Sequence, residues 1–143
     1  MKKRGVVLQI VMAGCVLLLL NGLCGAETWN MYLDGEKQKY YYDPSSLERP
    51  AKRIVRVWER ITEKNKEGVE TEKARNLLEI NCSSNKFRII AYKELDPATN
   101  AEGPEVRTEG EPWTVFSLDS ILGILYDNVC WEKTPDGKVQ KPN

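Results

Sequence analysis

The chain has 143 residues, with 21 basic side chains matched by 21 acidic ones and no histidine. That length suits one modest domain. The missing histidine excludes a Ser-His-Asp triad, imidazole acid–base work and the commonest metal ligand.

The N-terminus is a targeting segment. Lys2, Lys3 and Arg4 precede an almost wholly apolar run from Val6 to Leu23, and Cys24-Gly25-Ala26 places small residues where a signal peptidase reads. Cleavage after Ala26 is the preferred reading, so residues 1–26 are left out of the fold. Two other fates stay open. The run is long enough for a retained membrane anchor, and Met12-Ala13-Gly14-Cys15 resembles a lipidation site. Cleavage removes three basic residues and no acidic one, which leaves a mildly acidic chain. Such a surface argues against nucleic acid as a partner.

Cleavage also removes Cys15 and Cys24, leaving Cys82 and Cys130. Two cysteines in an exported chain are most simply one disulfide, with two free buried thiols as the alternative.

In chain order, Trp29 to Leu33 reads as a strand, Asp34-Gly35 as a hairpin turn and Lys39 to Asp43 as a second strand. Pro44 then breaks the pattern. Arg53 to Glu63 alternates, with Val55, Val57 and Ile61 on one face and Arg56, Trp58 and Arg60 on the other. Residues 64–68 are polar and end in glycine, a hairpin loop. Ala74 to Cys82 is the next strand, with Ala74, Leu78, Ile80 and Cys82 on one face and Arg75, Glu79 and Asn81 on the other. A helix over 70–80 is the rival on propensity; the Ser83-Ser84-Asn85 turn favours a hairpin into Phe87, Ile89 and Ala91. Glu94 to Glu111, with two prolines and two glycines, reads as a mobile loop. After it, Ser117 or Asp119 caps a helix in which Ile121, Leu122, Leu125 and Val129 recur at helical spacing, slightly weakened by Gly123. Residues 134–143 read as a disordered polar tail.

About five to six strands followed by one helix imply an α+β fold, an antiparallel sheet with the C-terminal helix packed on one face. Cys82 faces the covered side and Cys130 ends the covering helix, so a disulfide between them would staple helix to sheet.

Chemistry-bearing motifs are few. There is no phosphate loop and no paired-cysteine metal spacing, so no cofactor, metal or catalytic residue is expected. Glu59, Glu63, Glu70, Glu72 and Glu79 read as a solvated charged sheet face rather than a carboxylate pair. Two sets suggest binding instead. Arg56, Arg60, Lys73, Arg75, Lys86 and Arg88 could form a basic patch for an acidic partner, with pairing to nearby glutamates as the alternative. Trp29, Tyr40, Tyr41, Tyr42, Trp58 and Trp113 suit an interface, with packing as the alternative.

Several segments together resemble the surface-adhesin protein E family of bacterial envelope proteins. They are YYYDPSSL (Tyr40 to Leu47), RIVRVWER (Arg53 to Arg60), ARNLLEINC followed by KFRIIAY (Ala74 to Tyr92), and WTVFSLDSILGILYDNVC (Trp113 to Cys130). The resemblance covers about residues 29 to 131. It implies an antiparallel sheet packed on a C-terminal helix within residues 27–133, a Cys82–Cys130 disulfide, and export to the periplasm or outer-membrane surface, while the missing residue types for common mechanisms imply no enzymatic activity. It also implies protein partners, the host matrix proteins vitronectin and laminin among them, and homodimerisation. The family's binding stretch corresponds to TEKARNLLEINCSSNKFRII, which singles out Lys73, Arg75, Lys86 and Arg88. A periplasmic structural or assembly protein is the other function reading.

Overall fold

The computed structural model describes residues 28–96, 98–99, 101–108, 110–133 and 139–140. The targeting segment and its processing lie outside them, as does most of the predicted disordered tail.

The strands are β1 (Asn30–Asp34), β2 (Gln38–Tyr42), β3 (Glu48–Ala51), β4 (Ile54–Lys64), β5 (Glu70–Asn81), β6 (Lys86–Leu95), β7 (Glu102–Arg107) and β8 (Thr114–Val115). Helix α1 (Ile121–Val129) follows, then β9 (Glu132–Lys133) and β10 (Val139–Gln140), which pair with each other. The first eight strands form one antiparallel sheet in the order β1-β2-β4-β5-β6-β7. β3 lies on β4 and β8 on β6, each sharing an edge with a longer neighbour. The long strands β4, β5 and β6 carry the sheet.

The predicted turns form where their chemistry demands. At Asp34-Gly35 the Gly35 N–H meets the Gln38 carbonyl at 2.9 Å, and a Cβ on Gly35 would stand 2.8 Å from that oxygen. Asn85 takes a positive φ of 52°, a conformation asparagine tolerates better than most residues. The Asp43-Pro44-Ser45-Ser46 segment is a single 3-10 turn. Asp43 accepts from the Ser45 N–H at 2.8 Å, and Ser46 Oγ accepts from the Trp58 N–H at 3.0 Å. That serine fills the gap in the β4 ladder left where the chain passes from β2 to β3, so no ladder donor is orphaned there.

The predicted loop over Glu94 to Glu111 is instead a hairpin. β6 runs on to Leu95 and β7 returns beside it, pairing Ala91 with Arg107 and Lys93 with Glu105. Pro104 is accommodated because β7 ends the sheet, where a missing N–H disrupts no further ladder. β5 begins at Glu70, not Ala74, and no helix forms over 70–80. The helix cap is Ser120, whose Oγ accepts from the Gly123 N–H at 3.3 Å; neither Ser117 nor Asp119 plays that part.

The core lies between one sheet face and α1. Val55, Val57, Leu78, Ile80 and Cys82 from the sheet meet Phe116, Leu125, Tyr126, Val129 and Cys130. Phe87 and Tyr126 both pack on the Phe116 ring, with centroids 6.2 and 6.0 Å away. The Tyr126 hydroxyl donates to the Cys82 carbonyl at 3.0 Å, and Cys82 is joined to Cys130 across a Cα–Cα distance of 5.6 Å. Both links hold the end of α1 to the end of β5. Arg49 of β3 adds a third by donating to the Val129 carbonyl at 3.1 Å, a cation at the negative end of the helix.

Because the disulfide closes a 48-residue loop, Cys130→Ser is expected to lose about 2–4 kcal/mol, the chain-entropy figure of about 4 being an upper value. Urea unfolding of the variant, beside the parent with and without reductant, measures it. An unchanged midpoint would show that the crosslink adds nothing to the packing.

Candidate partner-binding face

With one sheet face buried under α1, the opposite face carries no helix. Strand alternation and register arrange it in cross-strand rows. The first row is Glu48–Arg56–Glu79–Arg88. The second is Trp58–Leu77–Ala91–Arg107. The third is Tyr41–Arg60–Arg75–Lys93–Glu105.

In the first row Glu79 is 3% exposed and is held from both sides. Arg56 Nε donates to one carboxylate oxygen at 2.6 Å, while Arg88 Nε and Nη2 donate to the other at 2.9 and 2.6 Å. Burial pushes the Glu79 carboxyl up, but the hydrogen bonds and charges of the two arginines outweigh it and hold it below the ordinary carboxylate range. The Arg88 guanidinium also lies 4.6 Å from the Trp113 ring centre.

The third row sets cations side by side, which would repel unless screened. Aromatic rings and carboxylates do the screening. Arg60 is sandwiched between Trp29 and Tyr41, 4.7 and 4.8 Å from their centres, and Arg75 lies 5.2 Å from the Trp29 ring. Arg75 also binds Glu72 in a fork at 2.7 and 2.9 Å and pairs with Glu102, which Lys93 reaches at 2.8 Å. Cation–ring contacts of this kind gain strength when desolvated.

These rows place the sequence-predicted site residues. Arg75, Lys86 and Arg88 share the open face. Arg75 sits in the third row and, contrary to the expectation of a solvent-facing position, is only 5% exposed. Lys86 begins β6 opposite Asn81 and Val115 and is half-buried. Lys73 stands apart, at the bulge where Ile61 pairs with Ala74 and Thr62 with Glu72; it is exposed and reaches Glu63 at 3.1 Å. Most of these cations therefore pair with glutamates, the alternative the sequence left open. Arg107 and Lys93 were missed, because their strand pairing lies in the segment read as a loop.

Glu59 corrects another expectation. Strand parity places it with Val55 and Val57, on the helix side rather than a solvated face, and it is 5% exposed. Tyr32 donates to its carboxyl, and Tyr42 and Asn76 stand opposite. Burial raises the Glu59 carboxyl above its usual range, and the hydrogen bonds from Tyr32 and Asn76 only partly offset that; burial and the nearby Glu59 raise the Tyr32 phenol too. Because the folded state then binds a proton more tightly than the unfolded chain, stability falls as pH rises from the ordinary carboxylate range through the raised value. Glu59→Gln is therefore expected to raise the melting temperature by a few degrees (about 4–8 °C per kcal/mol for a domain this size) at neutral pH, with the gain shrinking near pH 4. Thermal unfolding at the two pH values checks it, and a gain independent of pH would show that Glu59 is not the titrating group.

A search of curated proteins and a search of solved structures each return no significant match. Among the described residues no helix is long and apolar enough to cross a membrane. The family model for surface-adhesin protein E, however, matches residues 29–131, through every strand of the sheet and the covering helix, and the chain belongs to that family of exported bacterial surface proteins.

Proposed function

We propose that the protein is a non-enzymatic adhesin that binds a protein partner through the open, arginine-rich sheet face, with host matrix proteins such as vitronectin or laminin as the partners. The observation that carries this reading is the division of the sheet. One face is consumed by α1, while the other presents cations and aromatic rings in ordered rows. Lys86 and Arg88 supply its reachable charge, Lys73 adds charge at the bulge beside it, and Arg75 holds the face in shape. Release after Ala26, a domain spanning 27–133, a polar tail from 134 to 143 and homodimerisation belong to the same proposal. The intact mass of the exported protein tests the processing step.

Binding of the oxidised protein to immobilised vitronectin and laminin, at low and physiological salt, tests the partner. Saturable binding that weakens with salt is expected, since exposed charges are screened beyond about 8 Å at physiological ionic strength. Lys73→Glu with Lys86→Glu should weaken it while leaving the fold intact. No binding above a charge-matched control would sink the matrix-protein reading.

A second reading, a structural or assembly protein docking another envelope component, is favoured by a separate feature. Val115, Leu118, Ile121 and Ile124 are 67, 51, 40 and 37% exposed, an apolar run along β8 and the outer side of α1. Docking there would be insensitive to salt.

A further inference from the structure

Two adjoining depressions open on the uncovered face, and they share Arg56, Ile90 and Arg107 as a common wall. The first, about 260 Å³, is lined by those three residues with Arg88, Thr108 and Gly110. Among the described residues its lining holds three guanidinium groups and no carboxylate. The second, about 270 Å³, adds Trp58 and Leu77 as apolar surface, with Glu48, Glu105 and Ser46 around them.

Arg56 and Arg88 are preorganised by Glu79. Glu79 grips Arg56 through Nε alone, so neither terminal nitrogen of Arg56 has a hydrogen-bond partner among the described residues. Arg88 is fixed by Glu79, through Nε and Nη2, and by the Trp113 ring, and Nη1 takes no part in the Glu79 pair. Arg107 is 67% exposed, and its contact with Glu105 at 2.8 Å is a surface pair of little strength. Thr108 holds the rim in place, its N–H bonded to the Ile90 carbonyl at 3.1 Å and its hydroxyl to the Ile89 carbonyl at 2.5 Å. Three guanidinium groups around a small basin, with the terminal nitrogens of Arg56 uncommitted, suit an anion with several oxygens better than one carboxylate, which a single fork satisfies.

We propose that this pair of depressions binds an oxyanion ester of a saccharide, the sulfate or phosphate group held by Arg56, Arg88 and Arg107 and the sugar ring seated on Trp58 and Leu77. Glu48 and Glu105 accept hydrogen bonds from the ring hydroxyls, since an ionised carboxylate offers only acceptors. Each depression is smaller than the roughly 300–1,000 Å³ of a drug-sized pocket, so one takes the charged group and the other the ring. This goes beyond the protein-partner reading. It names a different ligand chemistry and rests on Arg56 and Arg107 rather than Lys73 and Lys86.

The test titrates the oxidised full-length chain with glucose sulfate, glucose phosphate, plain glucose and a blocked diglutamate peptide, following the backbone amides of Ile90, Thr108 and Gly110 by NMR. Saturable shifts with an ester, and none with glucose, are expected; whichever ester binds tighter distinguishes a sulfated from a phosphorylated source. Arg107→Ala, at an exposed position, should weaken the tighter ester about tenfold, while Lys73→Ala should change it less than about twofold. The proposal fails if neither ester saturates, if Arg107→Ala binds as the parent does, or if the diglutamate peptide binds as tightly as the esters. That last result would make the basin a site for acidic protein segments. Loss of ester binding with matrix-protein binding retained, or the reverse, separates this site from the adhesin reading.

Discussion

Arg75→Glu is expected to be the most damaging charge substitution on the open face, at about 3–5 kcal/mol. The sequence reading places Arg75 on the face turned away from the core and groups it with Lys73 in one basic set, so charge reversal at either would leave the fold intact. The structure separates the two. Arg75 is 5% exposed, forked on Glu72, paired with Glu102 and covered by Trp29. A glutamate there would put a third carboxylate against two existing ones in a dry setting and would remove the partner both now have. A domain with about 5–15 kcal/mol in hand loses much of its stability to such a change. Lys73→Glu, at a side chain 51% exposed and paired, among the described residues, with Glu63 alone, should cost less than about 1 kcal/mol. Urea unfolding of the two single variants decides the matter, and equal midpoints would overturn the placement of Arg75.

Gly123→Ala is the second substitution expected to be severe, and its direction opposes helix propensity. Alanine in a helix is normally favoured over glycine by about 1 kcal/mol. Here the added Cβ would stand 1.9 Å from the Leu118 carbonyl oxygen and 2.4 Å from its carbon. Both atoms are backbone, in a turn fastened by the Ser120 N–H and hydroxyl, which donate to the Ser117 carbonyl at 3.1 and 2.6 Å. Relief requires moving either that turn or the start of α1, whose inner side fills the core. Overpacking of this kind costs about 1–3 kcal/mol and sometimes more, and the upper end applies where no side chain can swing away. Thermal unfolding of Gly123→Ala should show a melting temperature lower by about 12–24 °C. A rise would mean that the turn yields freely and that glycine is there only as a weak helix former.

The two predictions differ in what could be read from the chain alone. The alternation of Arg53 to Glu63 and of Ala74 to Cys82 specifies which residues share a face, because successive side chains on a strand point to opposite sides. The Asp34-Gly35 and Ser83-Ser84-Asn85 turns, the helical spacing from Leu122 to Val129, and a crosslink between Cys82 and Cys130 follow from equally local chemistry. From these come the α+β class, the helix-covered face and the staple.

What lies across each strand was beyond that reach, because register and bulges depend on residues far along the chain. Parity puts Glu59 with Val55 and Val57, yet only the approach of Tyr32 from β1 and Asn76 from β5 makes a buried carboxyl tolerable there. Arg75 looks exposed until Trp29, Glu72 and Glu102 close over it. β7 carries too few apolar residues to announce a strand, and it becomes one because β6 offers it a free edge. Its arrival brings Arg107 beside Arg56 and Arg88, and no property of any one segment implies that meeting. Local sequence therefore determined the elements, their faces and the staple. The tertiary structure alone decided which charges are buried, which are stacked on rings and which converge, because those outcomes are set by pairings between residues tens of positions apart.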